Sequence, residues 1–340
     1  MEDKTIYTNA RNIRSVIRYL KRFKNTSLVI HLQDEALENP VFLNHLHDIA
    51  LIHEAGIKIV IVAGAKKAIN KALEKENISW TEKNGLRITE AAAVPFIKTA
   101  SFDVANTIMT AFSAEKISAV IGNWVKARSK GVIDGFDYGL CGEIESLDLG
   151  SIQKVLDNNF IPIFPCLGWS SLGKPYNISS LHLAKEIAIA LKAEKLFYLS
   201  NIDTLNIKNK FASFETSFDN KTSLENINAV NSIDLEKGLE SNNLESKEKY
   251  ILQIALDACK QKVERVHILD FALDGVIINE LFSEQGSGLM IYESQYGAIR
   301  SMKREDIAPV LSLMRPFVEK GILLYRSEEE MKAIYEDFVV

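Results

Sequence analysis

The sequence predicts an α/β protein built on a mainly parallel sheet, and three observations carry that prediction. Short apolar runs of strand length recur along the chain, as in SLVIHL (Ser27–Leu32) and KIVIVAG (Lys58–Gly64). Between them lie segments whose apolar residues return every three or four positions, the period of a helix with one buried face. Strand and helix alternate in this way through most of the 340 residues, the order expected of helices packed on a parallel sheet. A composition of 47% hydrophobic and 25% charged residues is ordinary for a globular protein, and the length suits one large domain or two smaller ones.

The elements follow in order. RNIRSVIRYLKRFK (residues 11–24) places Ile13, Val16, Ile17, Leu20 and Phe23 on one helical face and Arg11, Arg14, Arg18, Lys21, Arg22 and Lys24 on the other. A strand follows at Leu28–Leu32, then a helix over Val41–Glu54, a turn at Gly56, the strand Lys58–Gly64 and a helix over Lys66–Lys75. A helix spans Thr89–Phe112, and Pro95 either kinks it or marks where its regular part begins. Next come a strand over Ser118–Val125, hairpins in GVIDGFDYGLCGEIES, a helix over Leu149–Asn159 and a strand over Phe160–Phe164. The turn WSSLGKPYN leads to a helix at Ser180–Leu191 and a strand at Lys195–Ser200. Asp203–Lys249 is rich in Asn, Ser and Glu and reads as loops and weak hairpins. Order returns with a helix over Tyr250–Lys262, the strand VHILD, a helix over Val276–Phe282 and the strand LMIYE. After a break at SQYGAIRSMKRED, amphipathic helices are expected over Asp306–Val318 and Glu328–Asp337. The final DFVV reads as the start of an apolar strand with nothing to pair with, so the tail is expected to be the front of a second domain.

Bulk properties exclude several classes. A net charge of −5 carries no overall polyanion-binding signature. Cys141, Cys166 and Cys259 are far apart, with no CxxC spacing, as expected of reduced thiols. The polar start lacks the apolar core of a signal peptide, and no apolar run approaches the roughly 20 residues of a membrane helix. A cytoplasmic protein is expected, without membrane or nucleic-acid partners. The basic face of the first helix is the one feature favouring RNA or a membrane surface. Its apolar stripe favours docking on another element or subunit. His45, His47 and His53 point in different directions on a helix and make a poor metal set, so no metal site is expected.

Two local motifs stand out. In KNGLRIT (Lys83–Thr89), Arg87 follows a glycine turn at a helix entry, where a guanidinium either captures a carboxylate or simply faces solvent. In PYNISS (Pro175–Ser180), Asn177 either caps the following helix or binds a ligand at its N-terminus. The first strand, by contrast, runs into Gln33, Asp34 and Glu35, acids where an α/β phosphate site would show glycines.

The ordered series LVIHLQDEAL, LIHEAGIKIVIVAGA, KNGLRIT, YNISS, ALKAEK, HILD, NELFSEQGSG and the tail REDIAPVLSLMRPFVEKGILLYRSEEEM resembles the amino-acid-kinase fold, specifically arginine-sensitive acetylglutamate kinase and its relative, the classical bacterial N-acetylglutamate synthase, with the synthase the closer match. The resemblance covers residues 12–340. It implies a three-layer αβα sandwich of the amino-acid-kinase, carbamate-kinase-like type with a mainly parallel central sheet, followed by the first helices of a GNAT-like acetyltransferase domain. The implied division is an oligomerisation helix at 1–25, a kinase-like domain at 26–294 and the start of the acetyltransferase domain at 302–340.

Against that family the kinase machinery is eroded. The positions of the Lys-x-Gly-Gly loop are His31, Leu32, Gln33 and Asp34, and those of the second glycine-rich loop are Ala63, Gly64, Ala65 and Lys66. Leu181 stands where the family has its organising aspartate, and Ile251 where a lysine is expected. Phosphoryl transfer depends on positioning and charge stabilisation, so no kinase activity is expected. The degenerate nucleotide site comprises His31, Asp34, Gly64 and Leu181, and the vestigial amino-acid site comprises Arg87 and Asn177.

The resemblance further implies an L-arginine effector site at Tyr19, Lys195, His267, Glu280, Gly286 and Gly288. Leu289 departs from the family's usual threonine there. The implied reaction of the parent enzyme is transfer of an acetyl group from acetyl-CoA to L-glutamate. The family's CoA loop is not found: Arg128 with Gly131 fails at Ile133, and Gln285 with Gly288 fails at Met290. This chain is therefore expected to hold no cofactor and to be inactive alone, with acetyl-CoA as substrate of the remaining domain. The resemblance also implies a homo-oligomer, a hexamer joined by interlacing N-terminal helices. The alternatives are a divergent kinase acting on an acylamino acid and, on the first helix alone, a nucleic-acid-binding protein.

Overall fold

The computed structural model describes residues 14, 16–202, 204, 207, 229–240, 244–283, 286–293, 302, 304–319 and 321–338. The chain divides into two compact units, Met1–Ser294 and Gln295–Val340.

The larger unit is organised by an eight-stranded sheet. Its order is Ala229–Asn231, Leu289–Tyr292, Arg265–Asp270, Lys195–Ser200, Ser27–Leu32, Lys58–Ala63, Ile161–Phe164 and Ala119–Ile121. Neighbours run parallel except where Arg265–Asp270 meets Leu289–Tyr292. The strand Ser27–Leu32 lies centrally, in register with Lys195–Ser200 on one side and Lys58–Ala63 on the other. Leu28 to Leu32 are all buried because both faces of the sheet are covered, which is why the run is apolar without alternation.

Alternate residues of each strand feed two cores. Val29, Val60, Val62 and Tyr198 pack with the helices Ser180–Ala190 and Ser246–Lys260. Ile30, Leu32, Ile59 and Ile61 pack with the helices Phe42–Glu54, Lys66–Lys75, Val94–Ala114 and Val276–Phe282. Layers of helix, sheet and helix result. Each fully buried Ile or Leu contributes about 1.5–3 kcal/mol, and truncating Ile30 to alanine would cost about 2–5 kcal/mol through the cavity left.

Smaller sheets rim the C-terminal ends of the central strands. Pro175–Asn177, Leu167–Trp169, Val125–Ser129 and Gly142–Leu147 form one, and Thr81–Lys83 with Leu86–Ile88 forms a two-stranded hairpin.

Several expectations need correction. The strand expected over Ser118–Val125 is two strands, Ala119–Ile121 and Val125–Ser129, with Gly122 packed under the Trp124 ring between them. The helix expected from Thr89 begins as a 3-10 turn at Ala91–Ala93 and becomes α-helical at Val94, so Pro95 marks its first turn rather than a kink. Within the polar stretch expected to be loops and weak hairpins, Ser232–Glu240 is helical, burying Leu235 and Leu239 four apart, and the next helix starts at Ser246 rather than Tyr250. Of the first helix, residues 16–23 are described as helical, and residues 11–13 and 15 lie outside the described set.

In the smaller unit a 3-10 turn at Arg304–Asp306 precedes the helices Ile307–Glu319 and Glu328–Phe338. Asp337 and Phe338 close the second helix instead of starting a strand, and residues 339–340 lie outside the described set.

Candidate effector site and remodelled cleft

The sheet's C-terminal strand ends open into a cleft of about 980 Å³ lined by all six residues of the degenerate nucleotide and amino-acid sites: His31, Asp34, Gly64, Leu181, Arg87 and Asn177. The first strand ends at Leu32, and the chain turns through Gln33 into a 3-10 helix at Asp34–Glu38. That turn aims Asp34 at the start of the helix Lys66–Lys75, where Asp34 Oδ2 accepts from the Ala68 amide at 2.7 Å. The first amides of a helix lack intrahelical partners and favour an anion. Asp34 supplies that anion from within the chain. Burial pushes its pKa up to about 7, against the Ala68 hydrogen bond and with Glu35 adding to the rise. Asp34 Oδ1 and Glu35 Oε2 are buried with no hydrogen-bond partner among the described residues.

His31 stands beside this acid pair on the face of the strand that meets the helix Ser180–Ala190. Its Nε2 is 3.0 Å from Ser180 Oγ, and burial pushes its pKa down to about 3, so the imidazole is neutral. A Cβ at Gly64 would lie 3.2 Å from both His31 Nε2 and the Leu32 carbonyl, so the second loop passes close under the first. Leu181 and the buried Ile251 bring side chains without charge to the same cleft.

Arg87 lies not in an exposed loop but on the strand Leu86–Ile88, only 7% exposed. Its Nη2 donates to Asn70 Oδ1, Glu82 lies 3.9 Å away, and the Trp80 ring stacks 4.9 Å from the guanidinium. Its Nη1 is buried with no hydrogen-bond partner among the described residues. Asn177 does not cap the following helix. It donates to Thr89 Oγ1 at 3.1 Å, and Ser179 is the N-cap, accepting from the His182 amide. Residues not anticipated from sequence complete the cleft: Asn70, Glu82, Lys247, Lys249 and Tyr250.

The expected effector residues meet at a second place. The strand Arg265–Asp270 presents His267, whose Nδ1 donates to Glu280 Oε1 at 2.5 Å. Glu280 projects from the helix Val276–Phe282, and its Oε2 accepts from the amides of Ser287 and Gly288 at 2.5 and 2.7 Å. Gly286 makes this possible: its φ is +66°, and a Cβ would come 2.7 Å from Glu280 Oε2. Gly288 lies against Ile268 and Leu269 with no room for a side chain. Burial alone would raise the Glu280 pKa, but the His267 hydrogen bond and the two amides hold it at about 2. Burial pushes His267 down to about 4, so a neutral imidazole faces an ionised carboxylate.

Lys195 opens the neighbouring strand, 5% exposed, with its Nζ 5.7 Å from the Tyr19 ring centroid. Burial pushes its pKa down to about 8, Arg265 adding to the fall and Glu280 opposing it. Tyr19 of the first helix packs edge-on to Phe282 at 5.1 Å, and burial raises its phenol pKa. A cavity of about 10 Å³ remains between Tyr19, Phe23, Glu194 and Lys195. The glycine-loop amides here turn onto Glu280 itself.

Three histidines of the helix Phe42–Glu54 lie away from both places. His45 and His53 reach the carbonyls of Phe271 and Asn159, and His47 pairs with Glu115. Among the described residues no cluster suits a metal ion, and no helix is long and apolar enough to cross a membrane.

Comparison with known proteins places this geometry. Residues 26–270 match the amino acid kinase family. The amino-acid acetyltransferase of Pasteurella multocida is 30% identical over 327 residues, spanning 95% of this chain and 72% of the relative, and that of Proteus mirabilis is 31% identical over 337 residues. N-acetylglutamate synthase from Neisseria gonorrhoeae, solved with coenzyme A and L-arginine, superposes with a TM-score of 0.79 at 26% identity over 95% of this chain and 74% of its own. The same synthase with coenzyme A and N-acetyl-glutamate gives 0.73 at 27% identity, over 96% of this chain and 73% of its own. Carbamate kinase from Giardia lamblia shares the fold at 12% identity, with a TM-score of 0.54. The chain belongs to the amino acid kinase family and, within it, groups with the amino-acid acetyltransferases.

Proposed function

We propose that this chain is the regulatory, kinase-inactive part of an N-acetylglutamate synthase, which transfers the acetyl group of acetyl-CoA to the amine of L-glutamate, and that it binds L-arginine at Glu280. The observation that carries the effector reading is the Glu280 carboxylate, held ionised in a buried setting by His267 and two loop amides. A guanidinium pairs best with such a fixed carboxylate. Lys195 supplies a buried cation for the ligand's own carboxylate, and Tyr19 brings the first helix into the same site, linking occupancy to that helix. The relatives' acetyltransferase activity and the arginine complex of the Neisseria synthase support the reading.

The kinase-inactive part rests on the cleft. Two carboxylates stand at the helix N-terminus where a transferring phosphate would need positive or neutral surroundings, and Leu181 and Ile251 bring no charge. The same reading divides the chain into a first helix at 1–25 that joins copies into a hexamer, a kinase-like domain at 26–294 and the start of the acetyltransferase domain at 302–340. Isothermal titration with L-arginine tests the proposal. One saturable site is expected, abolished by Glu280→Gln. Neither heat nor a thermal shift from the parent chain would reject it.

A further inference from the structure

Asp34 and Glu35 stand side by side in the cleft and hydrogen-bond to each other. An ionised carboxylate only accepts, so that bond exists only while one of the two carries a proton. Asp34 is more than nine-tenths buried, and no other described group donates to its Oδ1 or to Glu35 Oε2. Two bare charges in contact there repel with little water to screen them, so such pairs share a proton. We infer that the two acids form a proton-operated clasp: the shared proton holds Glu35 on Asp34, and its loss releases Glu35 toward the cleft mouth while Asp34 stays docked.

The asymmetry of the pair decides which acid moves. Asp34 Oδ2 accepts from the Ala68 amide at 2.7 Å, in the first turn of the helix Lys66–Lys75, where a negative charge is favoured. Glu35 is half-buried, with no amide on its Oε2. Lys67, one residue before that amide, lies in the field of both acids and binds Glu38, which keeps Lys71 as a second partner. A released Glu35 therefore meets a cation at the rim. The other surrounding groups leave the proton to the pair. His31 is neutral, burial pushes the Cys166 thiol facing Asp34 up to about 11, and Lys66 is paired with Glu82. The helix Phe42–Glu54 and the strand Lys195–Ser200 pack on the turn, and neither brings a charge that acts on Asp34. Burial and Glu35 push the Asp34 pKa up to about 7, so the clasp opens as pH rises through neutrality and the cleft gains one negative charge.

The clasp is independent of L-arginine binding at Glu280. Its test is carboxyl 13C NMR of the 340-residue chain, labelled at the Asp and Glu side-chain carboxyls and titrated from pH 5 to pH 9. One Asp and one Glu resonance are expected to move together with a midpoint near about pH 7, where ordinary carboxyls are already ionised. In Glu35→Gln the new side-chain amide donates to Asp34 at every pH, and in Asp34→Asn it donates to Glu35, so both movements should vanish in either variant. The Ala68 amide should stay protected from hydrogen exchange at pH 8 in the parent chain, since Asp34 remains on it. Thermal unfolding at pH 6 checks that each variant is folded, and either one alone suffices for the comparison. If no resonance titrating above pH 6 is lost in the variants, or if Ala68 loses its protection as the pair ionises, the clasp is refuted.

Discussion

Glu280 and Asp34 are buried to nearly the same degree, 7% and 6% exposed, yet their acidities move in opposite directions. Glu280 receives three donors, the His267 ring and two loop amides, and stays ionised down to about pH 2. Asp34 receives one, the Ala68 amide, and faces a second carboxylate, so it holds a proton up to about pH 7. Burial is common to both, and the number of donors decides the outcome. The strand Lys195–Ser200 joins the two regions: Lys195 opens it beside the Glu280 site and Ser200 closes it at the cleft, about 17 Å away. One end of the sheet carries a carboxylate kept ionised by its donors, the other a carboxyl group that burial and a neighbouring acid keep protonated.

The largest expected effect comes from breaking the completed side. Glu280→Ala strips the acceptor from the His267 ring and from two amides, and should lower unfolding free energy by about 3–5 kcal/mol, read by chemical denaturation. The pH dependences of the two acids have opposite signs. Glu280 has a folded pKa below its ordinary value, so its contribution is fully present above about pH 4.5 and is lost as pH falls toward about 2. Asp34 has a raised folded pKa, so its contribution is fully present below about pH 3.8 and is lost as pH rises through about 7. Asp34→Asn removes that loss. At pH 8 it should be more stable than the parent by about 2 kcal/mol, and near pH 4 the two should converge.

Smaller effects separate the two loops. Gly286→Ala places a side chain at positive φ against the Glu280 carboxylate and should cost about 1–2 kcal/mol. Gly64→Ala meets only tight contacts at an ordinary φ and should cost under about 1 kcal/mol. Equal losses would mean that loop closure over Glu280 is not special.

How much of this was legible in sequence varies with the range of the interaction. The strand Ser27–Leu32 and the acids after it could be read directly, because apolar runs and the absence of glycine are local signals. That Asp34 docks on an amide 34 residues later could not, since the helix Lys66–Lys75 meets it only through the parallel sheet. Ser232–Glu240 was hidden because only Ile233, Leu235 and Leu239 interrupt its polar run. Asn177 reads equally as a cap or as a ligand group, and the structure gives the N-cap role to Ser179, three residues before His182. His267 and Glu280 were reached through the resemblance, but the turning of the Ser287 and Gly288 amides onto Glu280 depends on loop closure that spacing does not reveal.

The most direct test titrates L-arginine into the parent chain and into Glu280→Gln. One saturable site is predicted in the parent chain, and none in Glu280→Gln. Binding that Glu280→Gln leaves unchanged, or no binding to the parent chain, would contradict the assignment of the effector to Glu280.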